Sequence, residues 1–364
     1  MQIFLNILFL ILGMAFLIKG ADFFVSGASA VAKRMKVSPL IIGLTIVAIG
    51  TSLPELAVSI TSAINGSVDM SVGNVVGSNM ANMLLIIGIV ALFAPIKVQK
   101  SSRKFDFPFM IVVTGLLLVF CSDTILNQSS SNILTRTESI VFLLLLIFYI
   151  VTLIFNAKKD QKENLLKDGN QVFEEHLKKL CDEVKNQKEI KEPRKENWLK
   201  KIRRKMKEVS ENPKIWQIVL FLIFGLAGVV LGGEAVSRTA QNLAIIAGMS
   251  EALVGLTIVA IGTSLPELVT SVVAARKGET DLAIGNIVGS NIMNIVLILG
   301  TVGTITQIGV STIILTDLLI LFISTIVFTL LALPKMKIGK VTGTILLLMY
   351  FGYMAFAIVR NYCF

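Results

Sequence analysis

Apolar stretches separated by short polar breaks run along most of the chain, with approximate limits 3–31, 39–63, 71–94, 106–122, 138–156, 215–243, 252–275, 282–304, 312–333 and 341–360. About 20 apolar residues in a helix cross the hydrocarbon core of a bilayer. The pattern therefore predicts ten transmembrane helices and an all-α polytopic membrane protein. The first and sixth stretches are long, which predicts tilted helices. The apolar pattern stops between Asn156 and Ile215. Inside that polar segment two stretches keep helical spacing. One carries Val172, Phe173, Leu177, Leu180 and Val184, the other Trp198, Ile202, Met206 and Val209. The second is strongly basic on its polar side. A 198–209 helix of that kind lies on an anionic inner membrane surface or binds a regulator. A solvated linker between two halves is the plainer reading.

The pattern is also doubled. Gly43–Leu56 reads G-L-T-I-V-A-I-G-T-S-L-P-E-L, and the fourteen residues Gly255–Leu268 are identical to it. The same offset of 212 pairs G-N-V-V-G-S-N-M-A-N (Gly73–Asn82) with G-N-I-V-G-S-N-I-M-N (Gly285–Asn294), Asp69 with Asp281, and Gly20 with Gly232. Each half holds five predicted spans, an odd number, so the second half enters the membrane upside down. That is the plan of two inverted five-helix repeats found in secondary transporters, whose site lies near the midplane between the halves. The expected division is a first membrane repeat over 1–156, a basic loop over 157–214 and a second membrane repeat over 215–364.

Composition agrees. Of 364 residues, 54% are hydrophobic and only 16% charged, against about 25% charged in a soluble domain. The net charge of +10 does not point to nucleic acid, because 18 Lys or Arg against 12 Asp or Glu fall between Asn156 and Ile215 and the rest lie mostly in short loops. Basic clusters follow the odd-numbered spans: Lys33, Arg34 and Lys36; Lys97, Lys100, Arg103 and Lys104; the long segment; Arg276 and Lys277; Lys335, Lys337 and Lys340. Cytoplasmic loops are rich in Lys and Arg, so these loops, including 157–214, are expected in the cytoplasm with both termini outside the plasma membrane. The N-terminal run lacks a basic start and a cleavage site, and reads as the first span rather than a removed signal. Cys121, Cys181, Cys363 and the single His176 have no metal-ligand spacing. No nucleophile–base pair and no cofactor motif stands out, so an enzyme is not expected.

The chemistry sits in the repeat. Proline removes a backbone donor and crowds the carbonyl four residues earlier, so Pro54 predicts a bent or unwound helix between Gly50 and Pro54, with freed carbonyl oxygens. Thr51 and Ser52 lie four and three residues before Glu55, on one helical face. Span seven repeats the set with Thr263, Ser264, Pro266 and Glu267. Spans three and eight add Ser78 with Asn82 and Ser290 with Asn294, each pair four apart. All are hard oxygen ligands, which suit calcium and sodium. Intramembrane carboxylates are functional by default. Two of them balance one calcium ion or two sodium ions, and without a cation they repel. Gly73 with Gly77, and Gly285 with Gly289, are spaced to let backbones approach closely. Asp22 and Glu234 occupy matching positions, with Lys19 near Asp22; pairing or interfacial placement suits them better than a role at the mouth of an ion path.

The doubled G-T-S-L-P-E-L, each followed by G-N-x-x-G-S-N, resembles the paired alpha repeats of the calcium/cation antiporter superfamily, in its prokaryotic sodium/calcium exchanger branch. The resemblance covers both halves. It implies ten helices, an ion-binding core of spans two, three, seven and eight, and spans one and six sliding across that core to alternate access. Carried over by position, the ligands are Glu55, Thr51 and Ser52 with the backbone oxygen of Ala48, and Glu267, Thr263 and Ser264 with that of Ala260, completed by Ser78, Asn82, Ser290 and Asn294. Some relatives carry an aspartate at the position of Asn82 or Asn294; here both are amides, which leaves two acids rather than three. The expected activity is exchange of Ca2+ for Na+, with no cofactor, and with the ions and the lipid bilayer as partners. Calcium/proton exchange is the alternative in the same superfamily, and an ion channel the alternative from another class.

Overall fold

Residues 2–65, 68–126, 131–185, 214–248, 260–333 and 337–363 are described in the computed structural model. In chain order the first half holds α1 (Gln2–Met35), α2 (Pro39–Thr51), α3 (Leu53–Ile64) and α4 (Ser71–Phe93). Next come β1 (Ile96–Lys97), α5 (Lys100–Lys104), α6 (Asp106–Phe120), α7 (Asp123–Leu126), β2 (Asn132–Leu134) and α8 (Arg136–Lys185). The second half holds α9 (Ile215–Ile246), α10 (Ala260–Thr263), α11 (Leu265–Arg276) and α12 (Thr280–Ile305). It closes with β3 (Ile308–Val310), α13 (Thr312–Ala332), β4 (Lys337–Ile338) and α14 (Lys340–Cys363).

Among the described residues seven helices are long and apolar enough to cross a membrane, and the bent pair α2–α3 makes an eighth. The other two expected spans read differently. Helix α6 has 15 residues, about 22 Å at 1.5 Å per residue, and the 252–275 stretch is described only from Ala260 onward. Helix α8 runs past the expected boundary at 156 without a break and ends at Lys185, for 50 residues or about 75 Å. Its backbone therefore carries the 172–184 stretch as helix; the 198–209 stretch lies outside the described residues.

Burial sorts the helices into a centre and a jacket. The most apolar window of α12 is 94% buried and that of α4 is 78% buried, against 17% for α1 and 22% for α9. A helix apolar on every side belongs in a core or in lipid; here α4 and α12 are the core, and α1 and α9 carry exposed apolar surface. Helices α1 and α9 pack lengthwise on each other. Glycines allow it: a Cβ built on Gly20 would stand 2.6 Å from the carbonyl carbon of Gly228. Such backbone-to-backbone contact is the usual route to close helix pairing without a hydrophobic drive. On the other side of the core, a Cβ on Gly285 would stand 3.0 Å from the Cα of Gly43, so α12 and α2 also meet through backbone. The packing expected of Gly285 and Gly289 is thus observed. For Gly73 and Gly77 nothing lies within 4 Å among the described residues, and the stretch matching α2 at the 212 offset falls largely outside them.

Two short antiparallel ladders tie the halves together. β1 of the first half pairs with β4 of the second, Ile96 opposite Ile338, and β2 pairs with β3, Leu134 opposite Ile308. At the rim, Asp317 and Arg360 join α13 to α14 by a two-pronged ion pair with both contacts at 2.9 Å.

Candidate cation-binding site

Both copies of T-S-L-P-E-L fold alike. Helix α2 stops at Thr51, Ser52 takes φ −85° and ψ 3°, and α3 restarts at Leu53. In the second copy α10 stops at Thr263, Ser264 takes φ −89° and ψ 4°, and α11 restarts at Leu265. The axis bends by 42° at the first break. The expected freeing of the Gly50 carbonyl takes another form. The new helix begins one residue before Pro54, so the proline sits in a first turn, where its missing N–H is not needed. The Ala48 carbonyl accepts the Ser52 N–H at 3.0 Å and the Thr51 hydroxyl at 3.4 Å.

This break places Glu55 and Glu267 in the first turns of α3 and α11. A helix N-terminus carries unpaired N–H groups and a partial positive charge, which favour an anion there. Both carboxylates are wholly buried, and Ser52, three residues before Glu55, reaches Glu267. Among the described residues, both oxygens of Glu55 and the Oε2 of Glu267 have no hydrogen-bond partner. Buried charge is tolerated only when it is paired. Among the described residues no group of three or more His, Cys, Asp or Glu side chains gathers.

Neutral oxygens from both halves surround the carboxylates, most of them paired across the halves. Ser52 donates to Glu267 Oε1 at 3.4 Å, and Ser290 approaches the same oxygen at 3.5 Å. Thr51 lies 3.5 Å from Ser290, and Thr263 lies 3.4 Å from Ser78. Asn82 and Asn294 are fully buried, and each falls in a π-helical turn, Ala81–Ile86 and Asn294–Leu299. Wide turns of this kind recur at functional sites because they re-aim side chains. The Oδ1 of Asn294, both polar atoms of Asn82 and the hydroxyl of Ser264 are buried without partners among the described residues. Ala48 is buried beside this cluster, and Ala260 opens α10. Asp22 takes Lys277 as its ion partner, at 2.8 Å, and Glu234 pairs with Arg238 one turn along α9.

Several polar residues of the centre escaped the motif reading. Asn286 accepts from Thr51 at 3.0 Å and donates to Ser271 at 2.9 Å. The matching Asn74 donates to Ser59 at 3.3 Å. Thr270 is also buried, without a partner for its hydroxyl. A signal was present: Ser59 with Ser271 and Asn74 with Asn286 keep the 212 offset inside apolar stretches.

A family model described as sodium/calcium exchanger protein matches residues 5–155 and 217–359, on both sides of the polar segment. The chain belongs to the sodium/calcium exchanger protein family. Members of this family are membrane antiporters of cations within the calcium/cation antiporter superfamily, and this chain is a multi-pass membrane protein of that kind. It is 38% identical over 351 residues to the putative antiporter CaxA of Alkalimonas amylolytica, covering 95% of this chain and 96% of that one. It is 34% identical over 304 residues to the sodium/calcium exchanger MaX1 of Methanosarcina acetivorans, covering 83% of each. A solved structure of the sodium-calcium exchanger NCX_Mj, soaked with Na+ and Sr2+, superposes with a TM-score of 0.74 at 27% identity, covering 96% of this chain and 98% of that one.

Proposed function

We propose that this exchanger moves Ca2+ against Na+ by alternating access, with both ions competing for Glu55 and Glu267. The observation that carries the reading is the pair of wholly buried carboxylates with three of four oxygens unpartnered among the described residues. Their joint charge of −2 balances one Ca2+ or two Na+. Neutral oxygens of Thr51, Ser52, Ser78, Asn82, Thr263, Ser264, Ser290 and Asn294, with the backbone oxygens of Ala48 and Ala260, complete the shells. Oxygen donors of this hardness bind both ions. The names borne by MaX1 and NCX_Mj support this choice of ions.

The membrane frame belongs to the same proposal. Ten helices form two inverted five-helix repeats, 1–156 and 215–364, with both termini outside and the 157–214 loop in the cytoplasm. The basic 198–209 stretch contacts the anionic inner leaflet. The matched element order and the ladder pairing between halves support the repeat. The α1–α9 pair slides across the core to expose the site to either side.

The test is radioactive calcium uptake into proteoliposomes under an outward sodium gradient, or under a proton gradient alone. Uptake driven by sodium and not by protons is expected. Uptake driven by protons alone would make this a calcium/proton exchanger, and flux independent of both gradients would make it a channel.

A further inference from the structure

The repeat is nearly symmetric in sequence, but its hydrogen bonds are not, and the difference isolates one residue. Asn79 lies behind the proposed ligands on α4, and it is buried, like its match Asn291 on α12. The Nδ2 of Asn79 lies 3.1 Å from the backbone oxygen of Asn291. A carbonyl only accepts, so the Asn79 amide must present its nitrogen there. That leaves its Oδ1 facing Asn294, whose Nδ2 donates to it at 3.1 Å. An oxygen acceptor requires a nitrogen opposite it, so the orientation of Asn294 follows in turn. Its Oδ1 is left buried without a protein partner, on the side away from Asn79. One backbone carbonyl thus sets two side-chain amides in sequence.

Among the described residues the other half lacks this chain of bonds. Asn291 turns its Nδ2 to the thioether of Met110 at 3.9 Å, a weak acceptor, and its Oδ1 has no partner. Asn82, the match of Asn294, has no partner for either amide atom. The same asymmetry reaches the acids. Glu267 accepts from Ser52, while Ser264, the match of Ser52, leaves its hydroxyl unpartnered, as are both oxygens of Glu55.

We infer that Asn79 is a positioning residue for ion binding, which holds Asn294 with its oxygen toward the cation, and that Asn291 has no equivalent effect on Asn82. The inference rests on the cation site proposed above. A free amide also samples the orientation that points an N–H2 at the ion, and that orientation repels a cation. An amide that samples the two orientations equally binds the ion about twofold more weakly, because only half of the molecules are competent.

The test is a Ca2+ titration of thermal stability on the full purified chain. Asn79→Ala should raise the apparent Kd for Ca2+ about twofold, and Asn291→Ala should leave it unchanged. In the Asn294→Asp background the Asn79→Ala effect should vanish, because a carboxylate offers an oxygen whichever way it turns. Equal weakening by Asn79→Ala in both backgrounds would overturn the inference, as would a wild-type Kd in Asn79→Ala. If Asn79→Ala aggregates, the isosteric Asn79→Leu carries the same test; aggregation of both makes Asn79 a purely structural residue and also overturns it. A wild-type chain with no Ca2+ response would instead count against the proposed function.

Discussion

Replacing Glu55 by glutamine keeps the side chain's size and removes one charge. Glu55 is wholly buried and neither of its oxygens has a partner among the described residues, so the change breaks no hydrogen bond to their side chains. At about 4 Å and an effective dielectric of about 20, two unit charges attract by about 4 kcal/mol, which makes about 8 kcal/mol toward a divalent cation. Desolvation of the ion offsets part of each figure, but the divalent ion still loses the more. With a tenfold change in Kd for each 1.4 kcal/mol or so, Ca2+ affinity should fall by about a thousandfold or more, and Na+ affinity by less. Stability without ions should hold or rise, because a neutral amide costs less to bury than an unpaired carboxylate. The assay is thermal unfolding with and without Ca2+, beside sodium-driven calcium uptake. In the wild type, Ca2+ at a hundredfold excess over its Kd adds about 2.7 kcal/mol of stability; in Glu55→Gln that increment should vanish together with uptake. A variant that keeps both the increment and the uptake would refute the assignment of Glu55.

Other outcomes follow from contacts already described. Glu267→Gln should also abolish uptake, and it should shift ion-free stability less favourably than Glu55→Gln, since Glu267 accepts from Ser52 and Ser290; unfolding midpoints of the two variants compare them. Gly20→Ala would place a methyl 2.6 Å from Gly228, an overpacking that costs about 1–3 kcal/mol in a thermal melt. Arg360→Ala should cost about 3 kcal/mol by leaving the mostly buried Asp317 carboxylate unpaired; the double change Arg360→Met with Asp317→Leu should recover most of it. Lys277→Ala should cost under about 1 kcal/mol, because the pair with Asp22 is exposed enough for solvent to screen it. Acidification should raise the Ca2+ concentration needed for half-maximal uptake, since protons and calcium compete for the same carboxylates.

Local rules made much of this molecule legible before any coordinates. Long apolar runs announce membrane helices because lipid satisfies no backbone polar group. The doubled motif announces two related halves, and Pro54 and Pro266 announce the breaks because a missing N–H acts within one turn. Glu55 and Glu267 stood out because a carboxylate at membrane depth needs a reason. What followed from single residues and short spacings was therefore open to reading. Partnership was not. Two amides 212 residues apart, Asn79 and Asn291, look alike in sequence, yet one donates to a backbone carbonyl and the other to a methionine sulfur. Ser52 reaches Glu267 rather than the Glu55 three residues away, and helix α8 continues past the end of its apolar stretch to Lys185. These outcomes depend on which distant groups the packing brings within about 3 Å, the range over which a hydrogen bond acts, and only the folded chain sets that.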